Sequence, residues 1–221
     1  QGFTPKACVM NLKRFLLLLL GLFVVNQAEA QVLRVSKSDT TGFTRIQDAV
    51  DQADSGTVIE VQPGTYREQI VLKPGINLKG IQFPAIQSPN AGAVVKMASH
   101  AYLQGFRIQA PGETADGASC GVIARKVSGC IIFNNTISGH TLCGVLLEQT
   151  DCQLLYNFFI GNKRTGIQVQ NGVRTHIGYN LFMGNAQAAI HMFAANKGGL
   201  IYKNNFIENT RGITGEAPMQ P

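Results

Sequence analysis

A chain of 221 residues with 45% hydrophobic and 14% charged residues can bury one sizeable core, which excludes a disordered chain. Its formal net charge of +6 is a mild bias toward anionic partners, and no Lys/Arg run marks a nucleic-acid-binding segment.

Residues 1–9 precede the first methionine, Met10, and are read as non-native upstream residues. Residues 10–30 read "MNLKRFLLLLLGLFVVNQAEA". Lys13 and Arg14 form a basic start, Phe15 to Val25 an apolar run of 11 residues, and Ala28-Glu29-Ala30 a small-x-small site. This predicts a signal peptide cleaved after Ala30 and a secreted or periplasmic protein. The apolar run is too short to cross a hydrocarbon layer of about 30 Å, and no cysteine follows the cleavage site, so no membrane anchor is expected after cleavage. Cleavage would remove Lys6, Lys13, Arg14 and Glu29, taking the net charge from +6 to +4.

Residues 31–56 read as an N-terminal cap containing a helix. Thr44 with Gln47 suggests a capping box, Ile46, Ala49, Val50 and Ala53 fall on one helical face, and Gly56 closes the element. Short strands are predicted at Val58–Val61, Ile70–Leu72 and Ile76–Leu78, with a Pro63-Gly64 turn. From residue 57 to 221 the chain reads as one repeat domain. Its units begin at Gly121, Gly144, Gly166, Ala189 and Gly212, at spacings of 23, 22, 23 and 23 residues. Each unit opens with a short alternating strand and carries N-x-Φ-x-x-N or a relative of it: Asn135/His140, Asn157/Asn162, Asn180/Asn185 and Asn204/Asn209. Runs of three to five residues are too short for helices, and the leucine-rich-repeat frame is missing. A coil of stacked parallel strands fits, with equivalent positions forming columns about 4.8 Å apart. The Asn residues are expected in left-handed or bridging turns, bonding to the coils above and below. The chain stops after "GITGEAPMQP", one strand into a new coil, which reads as a C-terminal truncation.

The order F-x-x-I-Q-x-A-V, G-x-V-I-x-V-x-P-G-x-Y-x-E and I-x-L-K-P-x-I-x-L-x-G between Phe43 and Gly80 resembles the opening of right-handed parallel β-helix proteins of the pectin-lyase-like superfamily. It is most similar to the NosD family of copper-maturation proteins and to the carbohydrate-binding and sugar-hydrolase β-helix group. The resemblance implies an all-β, single-stranded right-handed parallel β-helix of about six coils with a short capping α-helix. It does not imply one activity, because lyases, hydrolases, esterases, epimerases and non-enzymatic proteins share such openings.

Strand alternation sends Val122, Val145, Ile167 and Ile190 inward, and Ala124, Leu147, Val169 and Met192 as well. The outward columns are Ile123/Leu146/Gln168/His191 and Arg125/Glu148/Gln170/Phe193. In the superfamily's enzymes this face commonly lines the polysaccharide groove. Here Arg125, Glu148, Gln168, Gln170, His191 and Phe193 are the candidate binding residues: polar groups beside a stacking ring. The face carries one carboxylate, Glu148, whereas glycoside hydrolysis needs two, and Arg125 reads as its exposed ion-pair partner. No catalytic residue is assigned, and no cofactor is expected. A lyase would need a base such as Arg125 or Lys126 and calcium, which Glu113 and Asp116 could hold if their loop folds over the groove. The pairs Cys120/Cys143 and Cys130/Cys152 fall on adjacent coils and read as small buried thiols, with disulfides as the alternative. Copper, raised by the NosD resemblance, finds soft side chains in His176, Met183, His191, Met192 and the cysteines but no trusted ligand spacing, and both methionines read as core. The leading function is binding of an extracytoplasmic, anionic polysaccharide by a monomer, with modification as an extension. The alternatives are a non-enzymatic maturation factor resembling NosD, and a polysaccharide lyase.

Overall fold

A computed structural model describes residues 31–38, 42–110, 119–193 and 198–215. The predicted signal peptide and the acids Glu113 and Asp116 lie outside the described residues.

Among the described residues every strand pairing is parallel, and the strands order into three sheets of eight, seven and seven. Parallel neighbours need a long crossover, and here each crossover is the rest of one coil. The first complete coil runs Val58–Val61 in sheet 1, Thr65–Arg67 in sheet 2 and Ile70–Val71 in sheet 3. The seventh runs Leu200–Tyr202, Asn205–Ile207 and Ile213–Gly215. Seven coils stand against about six expected. Ahead of them, Val32–Val35 extends sheet 1 by pairing with Val58–Val61.

The predicted register holds. Val122, Val145, Ile167 and Ile190 pair in succession and are fully buried, as are Ala124, Leu147 and Val169. Met192 is partly buried against the core, but Met183, expected in the core, sits at an outward, partly buried position beside buried Phe182. Sheet 2 alternates there as L-F-M, so the phenylalanine takes the interior place. Phe182 stacks between Phe159 and Phe206, at centroid distances of 4.8 and 5.3 Å.

The asparagines form two internal ladders. Asn135 gives its backbone N–H and its amide to Asn157 Oδ1, at 3.0 and 3.2 Å. Asn157 does the same to Asn180, and Asn180 to Asn204. The second ladder runs from His140 through Asn162 and Asn185 to Asn209. The left-handed residue is not the ladder Asn but the one before it: Asn134, Tyr156, Tyr179 and Lys203 in the first ladder, and Gly139, Gly161, Gly184 and Glu208 in the second. A residue that turns the corner with positive φ lets the next one point inward, where its amide reaches both neighbouring coils.

The helix spans Ile46–Gln52 and buries Ile46, Ala49 and Val50 over the open end of the stack. The expected capping box does not form. The N-cap is Arg45, with no side-chain cap bond, which leaves Thr44 one residue too early. Glu68 caps instead: its two carboxylate oxygens accept from the N–H groups of Ile46 and Gln47 at 3.0 and 3.1 Å. The Gln47 amide goes to Asp51 and the Val71 carbonyl. The helix ends at Gln52 because Ala53 turns extended, not at Gly56, which falls in the following turn.

Candidate functional site

Sheet 3 brings the six candidate residues to one face. Arg125, Glu148, Gln170 and Phe193 are successive partners in one outward column, and Leu146, Gln168, His191 and Thr214 in the next. Arg125 Nε donates to Glu148 Oε2 at 2.7 Å. The His191 and Phe193 rings meet edge to face at 4.1 Å, and His191 Nδ1 lies 2.7 Å from the hydroxyl of Thr214. His191 is therefore held by its neighbour along the stack, and Phe193 is half-buried by it. Gln168 and Gln170 sit one coil away, each partly exposed. Glu148 is the one carboxylate in these columns among the described residues, and its charge is already matched by Arg125. The face can offer hydrogen bonds and an aromatic edge; it does not hold the carboxylate pair of a glycosidase.

Two further surfaces escaped the sequence reading. At the corner between sheets 1 and 2, Tyr156 and Tyr179 stack at 4.9 Å, flanked by Phe133 and Tyr202. A groove of about 350 Å³ runs beside them, lined by residues that include Phe158, Leu181 and Asn205. The signal was a Tyr immediately before the ladder Asn in two consecutive units. The second surface is a cleft of about 540 Å³ at the N-terminal end of sheet 2, lined by Lys37, Arg45, Thr65, Arg67, Glu68 and Gln87. Its strand, Thr65–Arg67, is only three residues long. The alternation of exposed Thr65, buried Tyr66 and exposed Arg67 was the only available cue.

The model of one family, described as periplasmic copper-binding protein (NosD), matches residues 69–218. The chain belongs to the NosD family. A cell surface glycoprotein of Methanothermus fervidus (strain ATCC 43054 / DSM 2088 / JCM 10308 / V24 S) is 31% identical over 142 residues. That match is 60% of this chain and 22% of the glycoprotein, so the NosD-family chain spans about a fifth of that relative's length. Among solved structures, ORF18 of Geobacillus virus E2 superposes with a TM-score of 0.54 at 14% identity, over 100% of this chain and 47% of that one. A pectin methylesterase in complex with a hexasaccharide gives 0.51 at 12% identity, over 87% of this chain and 95% of that one. At such identities the likeness shows the fold alone: a right-handed parallel β-helix of the pectin-lyase-like type.

The NosD description names copper, and the described residues do not fit a resident copper centre. Among them no three His, Cys, Asp or Glu side chains converge. The soft donors that the register does bring together are two buried cysteine pairs, free thiols in both cases. In each, one thiol keeps its proton. Cys143 is pushed up by its hydrogen bond to Cys120 and by burial, and Cys152 by burial and then by Cys130. The partner thiols Cys120 and Cys130 are drawn down by the hydrogen bond within the pair, so each pair offers one ready thiolate and, among the described residues, no third ligand, a poor trap for a metal ion.

Proposed function

We propose that the chain is an extracytoplasmic β-helix scaffold that binds a polysaccharide on the outer face of sheet 3. The periplasmic description of its family and the cell-surface relative support the location. The observation that carries the binding reading is the Phe193 ring, braced by His191 at 4.1 Å beside Gln168 and Gln170. A braced ring loses little freedom on contact with a sugar, and the glutamines supply donors and acceptors for its hydroxyls. The protein acts as a monomer in this reading and needs no cofactor, so chelating calcium leaves binding unchanged.

Calorimetry against pectate, alginate and a neutral glucan tests the proposal. Phe193→Ala is expected to weaken binding by about 0.5–1.5 kcal/mol with the melting temperature little changed. Absence of binding to all three at millimolar sugar would overturn the carbohydrate reading. It would favour the second one, a non-enzymatic maturation factor, which rests on membership of the NosD family and on what the sequence resemblance implies.

A further inference from the structure

On sheet 3 Arg125 is consumed by Glu148, which leaves Lys96, in register with Ile123, as the cation of its outward columns without an ion-pair partner among the described residues. Sheet 2 carries unmatched positive charge of its own. Over the first four coils one outward column there holds Thr65, Ala85, Arg107 and Thr136. The next holds Arg67, Gln87, Gln109 and Ser138. Neither column contains a carboxylate. In the fifth and sixth coils the same positions turn apolar, with Phe158, Ile160, Leu181 and Met183. The polar strip thus has a defined end, and at its other end it opens into the cleft of about 540 Å³. That volume lies within the range of about 300–1,000 Å³ usual for ligand sites.

The cleft's charges are not equivalent. Glu68, with a side chain only 4% exposed, spends both oxygens on the helix N–H groups. Arg45 is held by Asp48 at 3.3 Å and lies 3.9 Å from Glu68. Lys37 is fixed over the Tyr66 ring at 4.7 Å, and among the described residues neither Lys37 nor Arg67 has an ion-pair partner. Gln87 donates through its amide nitrogen to Gln109 Oε1 at 2.9 Å, which leaves the second N–H and the oxygen of the Gln87 amide, and the Gln109 amide nitrogen, to meet a ligand.

We propose that this cleft and the strip leading from it bind an anionic polysaccharide, a uronate chain whose carboxylates are taken by Lys37 and Arg67 and whose hydroxyls meet Gln87 and Gln109. Coils stack about 4.8 Å apart, so an extended chain lying along the solenoid axis meets one of Arg67, Gln87, Gln109 and Ser138 at each coil. Guanidinium suits a carboxylate through two parallel N–H bonds, and a lysine adds a point charge. The sugar identity of the ligand rests on the carbohydrate reading above; its charge rests on this cleft alone.

The test is an NMR titration of the whole purified protein with oligogalacturonate and, separately, with sodium sulfate, repeated on Lys37→Gln/Arg67→Gln. Both substituted side chains are solvent-facing, and unchanged amide spectra of the core verify folding. Oligogalacturonate is expected to shift the side-chain signals of Arg67, Gln87 and Gln109, and in the double variant the Gln87 and Gln109 signals are expected to report binding weaker by about tenfold or more. Sulfate is expected to shift Arg67 in the parent protein only. Undiminished galacturonate binding at the Gln87 and Gln109 signals of the double variant, or shifts confined to sheet 3 in the parent protein, would overturn this site and leave the carbohydrate reading standing. A sulfate response at Arg67 without binding of any sugar would keep an anion site and overturn the polysaccharide. No response of the cleft to either probe would overturn it as an anion site.

Discussion

His140 Nε2 lies 3.3 Å from the carbonyl oxygen of Ile108, the place that the amide nitrogen of Asn162 takes against Ile137 one coil on, also at 3.3 Å. The imidazole is the first rung of an asparagine ladder, and its backbone N–H donates to Asn162 just as Asn162 donates to Asn185. The other ring nitrogen, Nδ1, is buried without a hydrogen-bond partner among the described residues. Burial pushes the His140 pKa down from 6.5 to about 4. The folded protein therefore holds the neutral ring, while the unfolded chain takes up a proton first as pH falls. Stability from this residue is complete above about pH 6.5 and is lost between 6.5 and about 4, by about 3 kcal/mol in all. His140→Asn should complete the ladder and remove that loss. Melting temperatures of the two proteins from pH 7.5 to 4.5 check it, and parallel pH profiles would sink the assignment.

Asn157 is the most engaged ladder residue. Its Oδ1 accepts from the backbone and the amide of Asn135, and its own amide donates to Ile132 at 2.8 Å and to Asn180. Asn157→Ala leaves several buried groups unpaired, each costing about 1–3 kcal/mol. Asn204, at the partly exposed end of the same ladder, can be replaced by water. Asn157→Ala is expected to melt well below Asn204→Ala, by about 2–4 °C for each kcal/mol of difference.

Val169 and Gln170 test the register. Val169 is fully buried between Leu147 and Met192, and Gln170 faces outward beside Glu148. Val169→Asp places an unpaired charge in a dry column at a cost of several kcal/mol and should unfold the stack. Gln170→Asp should remain folded, with a small loss from its negative neighbour Glu148. Similar melting temperatures for the two variants would contradict the alternation.

The C-terminal half of the fold was legible in the sequence because its coils share one length. Gly121, Gly144, Gly166 and Ala189 recur at nearly equal spacing, and the residues after them pair in that same register. The face carrying Arg125, Glu148, Gln168, Gln170, His191 and Phe193 followed from alternation alone. The early coils hid themselves: Thr65–Arg67 and Ala85–Gln87 are three-residue strands between unequal turns, so no period marks them. With them the cleft at Arg67 stayed out of view. The helix cap was illegible for another reason. Glu68 reaches Ile46 across 22 residues, and a cap supplied by the next coil has no local signature.

That long-range cap gives a prediction of its own. Glu68→Ala exposes two helix N–H groups to a buried, unpaired state and removes the carboxylate beside Arg45. It should destabilise by about 2–4 kcal/mol, since hydrogen bonds to a charged group are each worth about 1.5–3 kcal/mol. Because the helix covers the first coil, hydrogen exchange should rise first at Val58–Val61 and Ile70–Val71, with the coils beyond Ser119 protected.

The Arg125–Glu148 pair decides whether sheet 3 reads charge or hydroxyls. At 2.7 Å the arginine is satisfied within the face, and both side chains are solvent-facing, 55% and 24% exposed, so the pair itself adds about 0–1 kcal/mol of stability. Arg125→Gln strips the compensating charge and leaves Glu148 to repel a uronate. The double variant Arg125→Gln/Glu148→Gln removes both charges and the repulsion with them. Uronate binding at the sheet 3 face should therefore fall in the single variant, recover in the double variant, and recover in the single variant as salt rises past the point where the Debye length is about 8 Å. Binding of a neutral glucan should change in neither. These affinities are measured in the Lys37→Gln/Arg67→Gln background, so that the sheet 2 cleft does not contribute. Equal loss in the single and double variants would mean that Arg125 contacts the carboxylate directly and that its bond to Glu148 opens when the sugar arrives.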